Sequence, residues 1–206
     1  VSELRWLLLG GSQVDDKALK QIQGAKNLQQ LSLFLCPVTD MGISRLEQLP
    51  NLRILNVALT KIADTGCRSL AQIEALEELV LDETRVTDDG LKFLNSLGEL
   101  KHLSLAGLRV SDRGLAVLKT MNGLESLNVA RTQVTAQAVG SFQSALPNCR
   151  VQWNGDPTDY RAQSRVRQAY HALSEKEAEV RRFSLREIQR DLLGVCFSSG
   201  EGLNLP

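Results

Sequence analysis

Leucines stand at Leu4, Leu28, Leu52, Leu76, Leu100 and Leu124, always 24 residues apart and with no insertion between them. A fixed period of this length restricts the chain more than any composition could, because every unit must fold alike and meet its neighbours in the same way. Each unit opens with the pattern LxxLxL, as in "LEELVL" (Leu76 to Leu81) and "LKHLSL" (Leu100 to Leu105). Alternation at period two predicts a short strand with one buried face. Apolar residues three apart follow, such as Leu91, Leu94 and Leu97, and this spacing predicts a helix. A unit of strand, turn, helix and turn cannot bury its leucines alone, so stacked neighbours must supply the core.

The link between strand and helix is repeated as closely as the leucines. "RVTDDGLKFL" (Arg85 to Leu94) has near copies in "PVTDMGISRL", "KIADTGCRSL" and "RVSDRGLAVL". Val86 and its equivalents Val14, Val38, Ile62, Val110 and Val134 are expected to plug the core where the chain leaves the inner face. Thr87 or Asp88 is expected to cap the following helix, and an acid there also suits the positive end of the helix dipole. In the third unit Ala63 cannot cap, which leaves that task to Asp64 in this reading. Gly42, Gly66, Gly90 and Gly114 come next, with Ala18 and Ala138 in the outermost units. Alanine tolerates positive φ badly, so the shared requirement is small size for close packing.

Over Leu4 to Trp153 these registers resemble the leucine-rich repeats, and the VTDxGL element resembles the subclass found in F-box-associated and bacterial repeat proteins. The resemblance implies an α/β fold, a right-handed solenoid with parallel strands on the concave face and helices on the convex face. It also implies that Ser12, Cys36, Thr60, Thr84, Leu108 and Thr132 occupy the bend position where the family has Asn or Cys, bonding neighbouring backbone. Leu108 departs from that pattern, so packing is expected to hold its bend. "LPNCRVQW" resembles the closing segment of such proteins, with Cys149, Val151 and Trp153 alternating as a last half-repeat strand. Residues 1–154 are therefore expected to form the repeat domain, and residues 155–206 a helical cap or appendage. Ser174 with Glu177 and Ser184 with Glu187 fit capping boxes in that tail. The expected docking of the tail buries Trp153 against apolar residues such as Phe183 and Leu192.

Little in the sequence suggests chemistry. Lys plus Arg equals Asp plus Glu at 24 each, so no net field recruits nucleic acid or an acidic membrane. No apolar run reaches the ~18 residues of a membrane span. The first residue is Val1 rather than Met, which leaves room for an upstream segment. Cys36, Cys67, Cys149 and Cys196 form no metal-spaced cluster and are expected to be unpaired thiols, which favours a cytosolic compartment. His102 and His171 are isolated, and no nucleophile elbow, phosphate loop or zinc-binding helix occurs. The Asp column from Asp16 to Asp112 is read as helix capping in preference to a metal ladder. Arg161, Arg165 and Arg167 in the tail are read as a solvated helix face. No catalytic residue, cofactor or metal is therefore expected.

The expected role is a non-enzymatic module that binds another protein, not nucleic acid or membrane. The alternative is a substrate receptor of a ubiquitin ligase, whose F-box would lie outside these residues. Residues between the buried leucines should point out of the concave face in two columns, one from Trp6 to Ser126 and one from Leu8 to Asn128. The expected contact surface comprises Trp6, Leu8, Phe34, Leu35, Ile54, Leu59 and Val80, with Glu78 and His102 setting specificity. Asp82, Glu83, Arg109 and Arg131 make the far end charged. An apolar patch beside a charged rim is the anatomy of a binding surface.

Overall fold

The computed structural model describes residues 3–153. The strands are β1 (Trp6–Leu8), β2 (Gln30–Ser32), β3 (Ile54–Asn56), β4 (Glu78–Val80), β5 (His102–Ser104), β6 (Ser126–Asn128) and β7 (Arg150–Gln152). They form one parallel sheet in chain order, each strand paired with the next. The register repeats without slip: Leu7 faces Leu31, then Leu55, Leu79, Leu103, Leu127 and Val151. The helical side carries α1 (Asp40–Ile43), α2 (Asp64–Leu70), α3 (Asp88–Leu94), α4 (Asp112–Val117) and α5 (Ala136–Ala145). Short 3₁₀ segments cover Ala18–Ile22, Ser44–Gln48 and Leu118–Thr120. This is the expected leucine-rich-repeat solenoid, with the strands on its concave face. The half-repeat "LPNCRVQW" supplies β7, and Trp153 donates its indole N–H to the Val134 carbonyl at 2.9 Å. The expected helices and docking of residues 155–206 lie outside the described residues, as do His171, Cys196 and the tail arginines.

One continuous core runs the length of the stack, from Leu7 and Leu9 through Leu31, Leu55, Leu79, Leu103 and Leu127 to Phe142 and Cys149. The bend column behaves as expected. Thr60, Thr84 and Thr132 donate to the carbonyls of Val57, Leu81 and Val129 at 2.6–2.7 Å. Cys36 donates its thiol to Leu9 O at 3.2 Å. Leu108 is buried and holds its bend by packing.

The acids at the helix starts work differently from the expectation. Asp64 does not cap its own helix: its carboxylate accepts the backbone N–H of Thr87 at 2.7 Å and the Thr87 hydroxyl at 2.8 Å, both in the next unit. Asp16, Asp88 and Asp112 hold Thr39, Ser111 and Thr135 in the same bidentate way. The physical reason is position. Asp64 is already the first residue of α2, one place past the N-cap position, so its side chain points along the stack to the next unit. Thr39, Thr87, Ser111 and Thr135 accept a backbone N–H from their own helices, so each hydroxyl donates to the preceding unit and accepts from its own. Ala63 makes no side-chain cap, and Asp40 there accepts the Ala63 N–H and the Thr65 hydroxyl instead.

The glycines two residues after these acids make room for them. A Cβ on Gly42, Gly66, Gly90 or Gly114 would collide with Oδ1 of the Asp one unit earlier. None of the four has positive φ, so small size is indeed what the position needs. Replacing Asp64 by Ala removes two charge-assisted bonds and leaves the Thr87 N–H without its acceptor. It should cost about 2–3 kcal/mol, read as a lower urea midpoint. Ala63→Thr, in contrast, supplies the missing cap and should stabilise by about 0.5–1 kcal/mol in the same assay.

Candidate functional surface

The front of the sheet presents the two expected columns in register, Trp6–Gln30–Ile54–Glu78–His102–Ser126 and Leu8–Ser32–Asn56–Val80–Ser104–Asn128. Trp6 is 65% exposed, Leu8, Ile54 and Glu78 are half-buried, and His102 is exposed with Nδ1 at 2.9 Å from Ser126 Oγ. Gln30 stands between Trp6 and Ile54, so these two do not occupy adjacent strands. Val80, expected to belong to the contact surface, is only 9% exposed. Its short side chain lies between Asn56 and Ser104 on the neighbouring strands and between Glu78 and Asp82 along its own. Neighbours on four sides bury a valine where a longer side chain would emerge. Val80 forms the floor of the surface.

Beside Val80 lies a polar cluster that sequence reasoning did not resolve. Buried Asp82 accepts the Ser104 hydroxyl at 2.6 Å and the Ala106 N–H at 2.9 Å, while Asn128 Nδ2 donates to Ser104 Oγ at 3.1 Å. Asn56 and Asn128 turn their side-chain oxygens onto the N–H groups of Ala58 and Ala130, each at 3.0 Å. Asp82 is therefore part of the scaffold, not of an exposed charged rim.

The strand exits carry the other half of the expected surface, and here the backbone is unusual. Leu35, Leu59, Glu83 and Arg131 have φ of 56–57°, and Gly11 and Gly107 of the same column also have positive φ. Non-glycine residues pay roughly 1–2 kcal/mol for this conformation. Leu35 and Leu59, on adjacent units, are nevertheless 54% and 44% exposed, with half-buried Phe34 preceding Leu35. Two units on, Glu83 sends its carboxylate over Gly107 to Arg131 Nη2 at 2.8 Å. A Cβ on Gly107 would occupy the place of that carboxylate. Gly11 and Gly107 are the signal in the sequence for this column.

Cys36, Cys67 and Cys149 carry buried thiols. Burial pushes the Cys67 thiol far above its ordinary value, and the carboxylates of Asp64 and Asp40 push it further. Burial also raises Cys149. A thiol held protonated is a poor nucleophile and a poor metal ligand. Native protein treated with iodoacetamide at neutral pH should leave Cys36, Cys67 and Cys149 unmodified, whereas unfolded protein should be alkylated at all three, read by peptide mass mapping.

Among the described residues no group of three or more His, Cys, Asp or Glu side chains could hold a metal ion, and no helix is long and apolar enough to cross a membrane. A leucine-rich repeat family model matches residues 48–71, one period of the pattern. No curated protein matches the sequence. Among solved structures, an internalin C2 from Listeria monocytogenes superposes with a TM-score of 0.62 at 24% identity, covering 74% of this chain and 62% of that one. A second internalin (inlF) from the same organism gives 0.55 at 20% identity, covering 75% of this chain and 51% of that one. The chain thus spans only part of either internalin, and the likeness is one of fold. Leucine-rich repeats are typically non-enzymatic scaffolds that bind other proteins. The unbroken period, the family match over one repeat and the shared fold together show that this chain has the leucine-rich-repeat fold.

Proposed function

We propose that the chain is a non-enzymatic module whose concave sheet and strand exits bind another protein. The observation that carries this reading is the pair Leu35 and Leu59. Each combines a left-handed backbone, which glycine would adopt more cheaply, with a large apolar side chain left in solvent. The backbone turn itself serves the stack, since the Leu35 and Leu59 N–H groups donate to the carbonyls of Ala58 and Asp82 in the next unit at 2.9 Å. That bond needs neither a leucine nor an exposed apolar side chain. Strain and apolar exposure at the same residues are understandable when a partner covers them. Trp6 and Ile54 extend the apolar surface along the strands, Phe34 borders it at the exits, and Glu78 and His102 supply polar contacts farther along the sheet.

The leucine pair yields a test in which stability and binding move apart. Leu35→Gly with Leu59→Gly removes the strain at the cost of glycine's freedom in the unfolded chain, so stability should hold or rise by about 0–1 kcal/mol per site. Capture of partner proteins by the immobilised chain, identified by mass spectrometry, should fall sharply for this variant and for Ile54→Asp. If both variants stay folded and capture the same proteins with unchanged affinity, the concave face and its exits are not the binding surface.

A further inference from the structure

Two residues past the left-handed column, each unit places one residue between inward-pointing neighbours: Gln13, Pro37, Lys61, Arg85, Arg109 and Gln133 in chain order. Thr60 and Ile62 are buried on either side of Lys61, as Leu108 and Val110 are beside Arg109, and all three cations are exposed. The backbone here continues the pairing of the sheet. Lys61 N–H donates to Val38 O at 3.0 Å, Arg85 N–H to Ile62 O at 2.8 Å, and Thr87 forms a parallel bridge with Arg109. The three cations therefore stand one rung apart at roughly 4.8 Å, with about 10 Å from the first to the last.

Their charges are uncompensated. Among the described residues the side chains of Lys61, Arg85 and Arg109 form no ion pair; scattered cations such as Lys17, Lys20 and Lys119 also form none, but these three stand on adjacent rungs. Glu83, two residues before Arg85, is turned away across Gly107 to Arg131. Like charges on adjacent rungs repel. Three such cations in line therefore work against the fold until an acidic group covers them.

We propose that Lys61, Arg85 and Arg109 bind an extended acidic segment of a partner protein, whose neighbouring apolar residue sits on Leu59 and Leu35. The proposal rests on the protein-binding reading above and adds the chemistry of the partner. An extended peptide advances about 3.3 Å per residue, so three or four residues span the row. A nucleic acid or other phosphate polymer fits less well. The row ends in Pro37 on one side and Gln133 on the other, and Glu78, Asp82 and Glu83 lie on the adjoining sheet. A strand of phosphates continuing along the solenoid would meet no further cations of this row, whereas phosphate binders draw on many contacts.

The test pans the full 206-residue chain against a displayed library of random peptides. Enriched peptides should carry at least two Asp or Glu beside Leu or Phe. Their affinity should fall tenfold or more in the variant Lys61→Glu, Arg85→Glu, Arg109→Glu and weaken with added salt. The same charge change on the helical side, Lys17→Glu, Lys20→Glu, Lys119→Glu, should leave affinity within about twofold. The milder series Lys61→Gln, Arg85→Gln, Arg109→Gln serves if the reversal unfolds the chain, and circular dichroism checks each variant. The proposal is overturned if no peptide is enriched, if the enriched peptides are neutral or basic, or if the reversal leaves their affinity unchanged. Binding of heparin through the same three residues without binding of acidic peptides also overturns it. Peptides lost in Ile54→Asp but kept in the charge reversal would sink the basic row and leave the concave-face reading standing.

Discussion

The carboxylate that joins each unit to the next is the contact on which the rest of the stack is arranged. Leucines supply the bulk of the stabilisation, but apolar packing is non-directional and tolerates sliding. The bidentate grip of Asp64 on the Thr87 N–H and hydroxyl does not. It fixes how far one helix start lies from the next, and it fills the space that a Cβ on residue 90 would need. The last such grip, of Asp112 on Thr135, is made with Ala138 at the equivalent place. Acid, hydroxyl and glycine are thus one device spread over two units, and the short strands inherit their register from it as well as from their own pairing.

Much of this fold could be read before any coordinates, because each element is short and repeated. Leu76 to Leu81 alternate visibly, Leu91, Leu94 and Leu97 are spaced for a helix, and six aligned copies average away the ambiguity of any one. The role of the acids was less legible. A carboxylate at the start of a helix has an obvious local use, and the competing use lies in a different unit, 23 residues away. Local spacing does not reveal which acceptor geometry wins.

The surface was legible only in outline. Alternation assigned the outward columns correctly, yet it treats every outward side chain as exposed. Val80 shows why that fails: exposure depends on the length of the side chain relative to its four neighbours, and a valine between Glu78, Asp82, Asn56 and Ser104 is covered. The left-handed exits were hidden for another reason. Leucine is a poor marker of positive φ, and only Gly11 and Gly107 betray what Leu35, Leu59, Glu83 and Arg131 also adopt. The apolar and charged halves of the exits are in turn made separate by one missing Cβ, since Gly107 lets Glu83 reach Arg131.

The joint between units also has a direction, with an acid on one side and a hydroxyl or amide on the other. Every interior unit therefore ends in the complement of its own beginning, much like bricks with a tongue and a groove. Gain or loss of a whole turn by recombination leaves every acid opposite a donor, whereas an insertion of any other length strands one. The lineage of such a protein can lengthen or shorten in steps of one repeat while the residues on its outer columns drift under separate selection. The architecture is inherited by counting, and the binding properties by substitution.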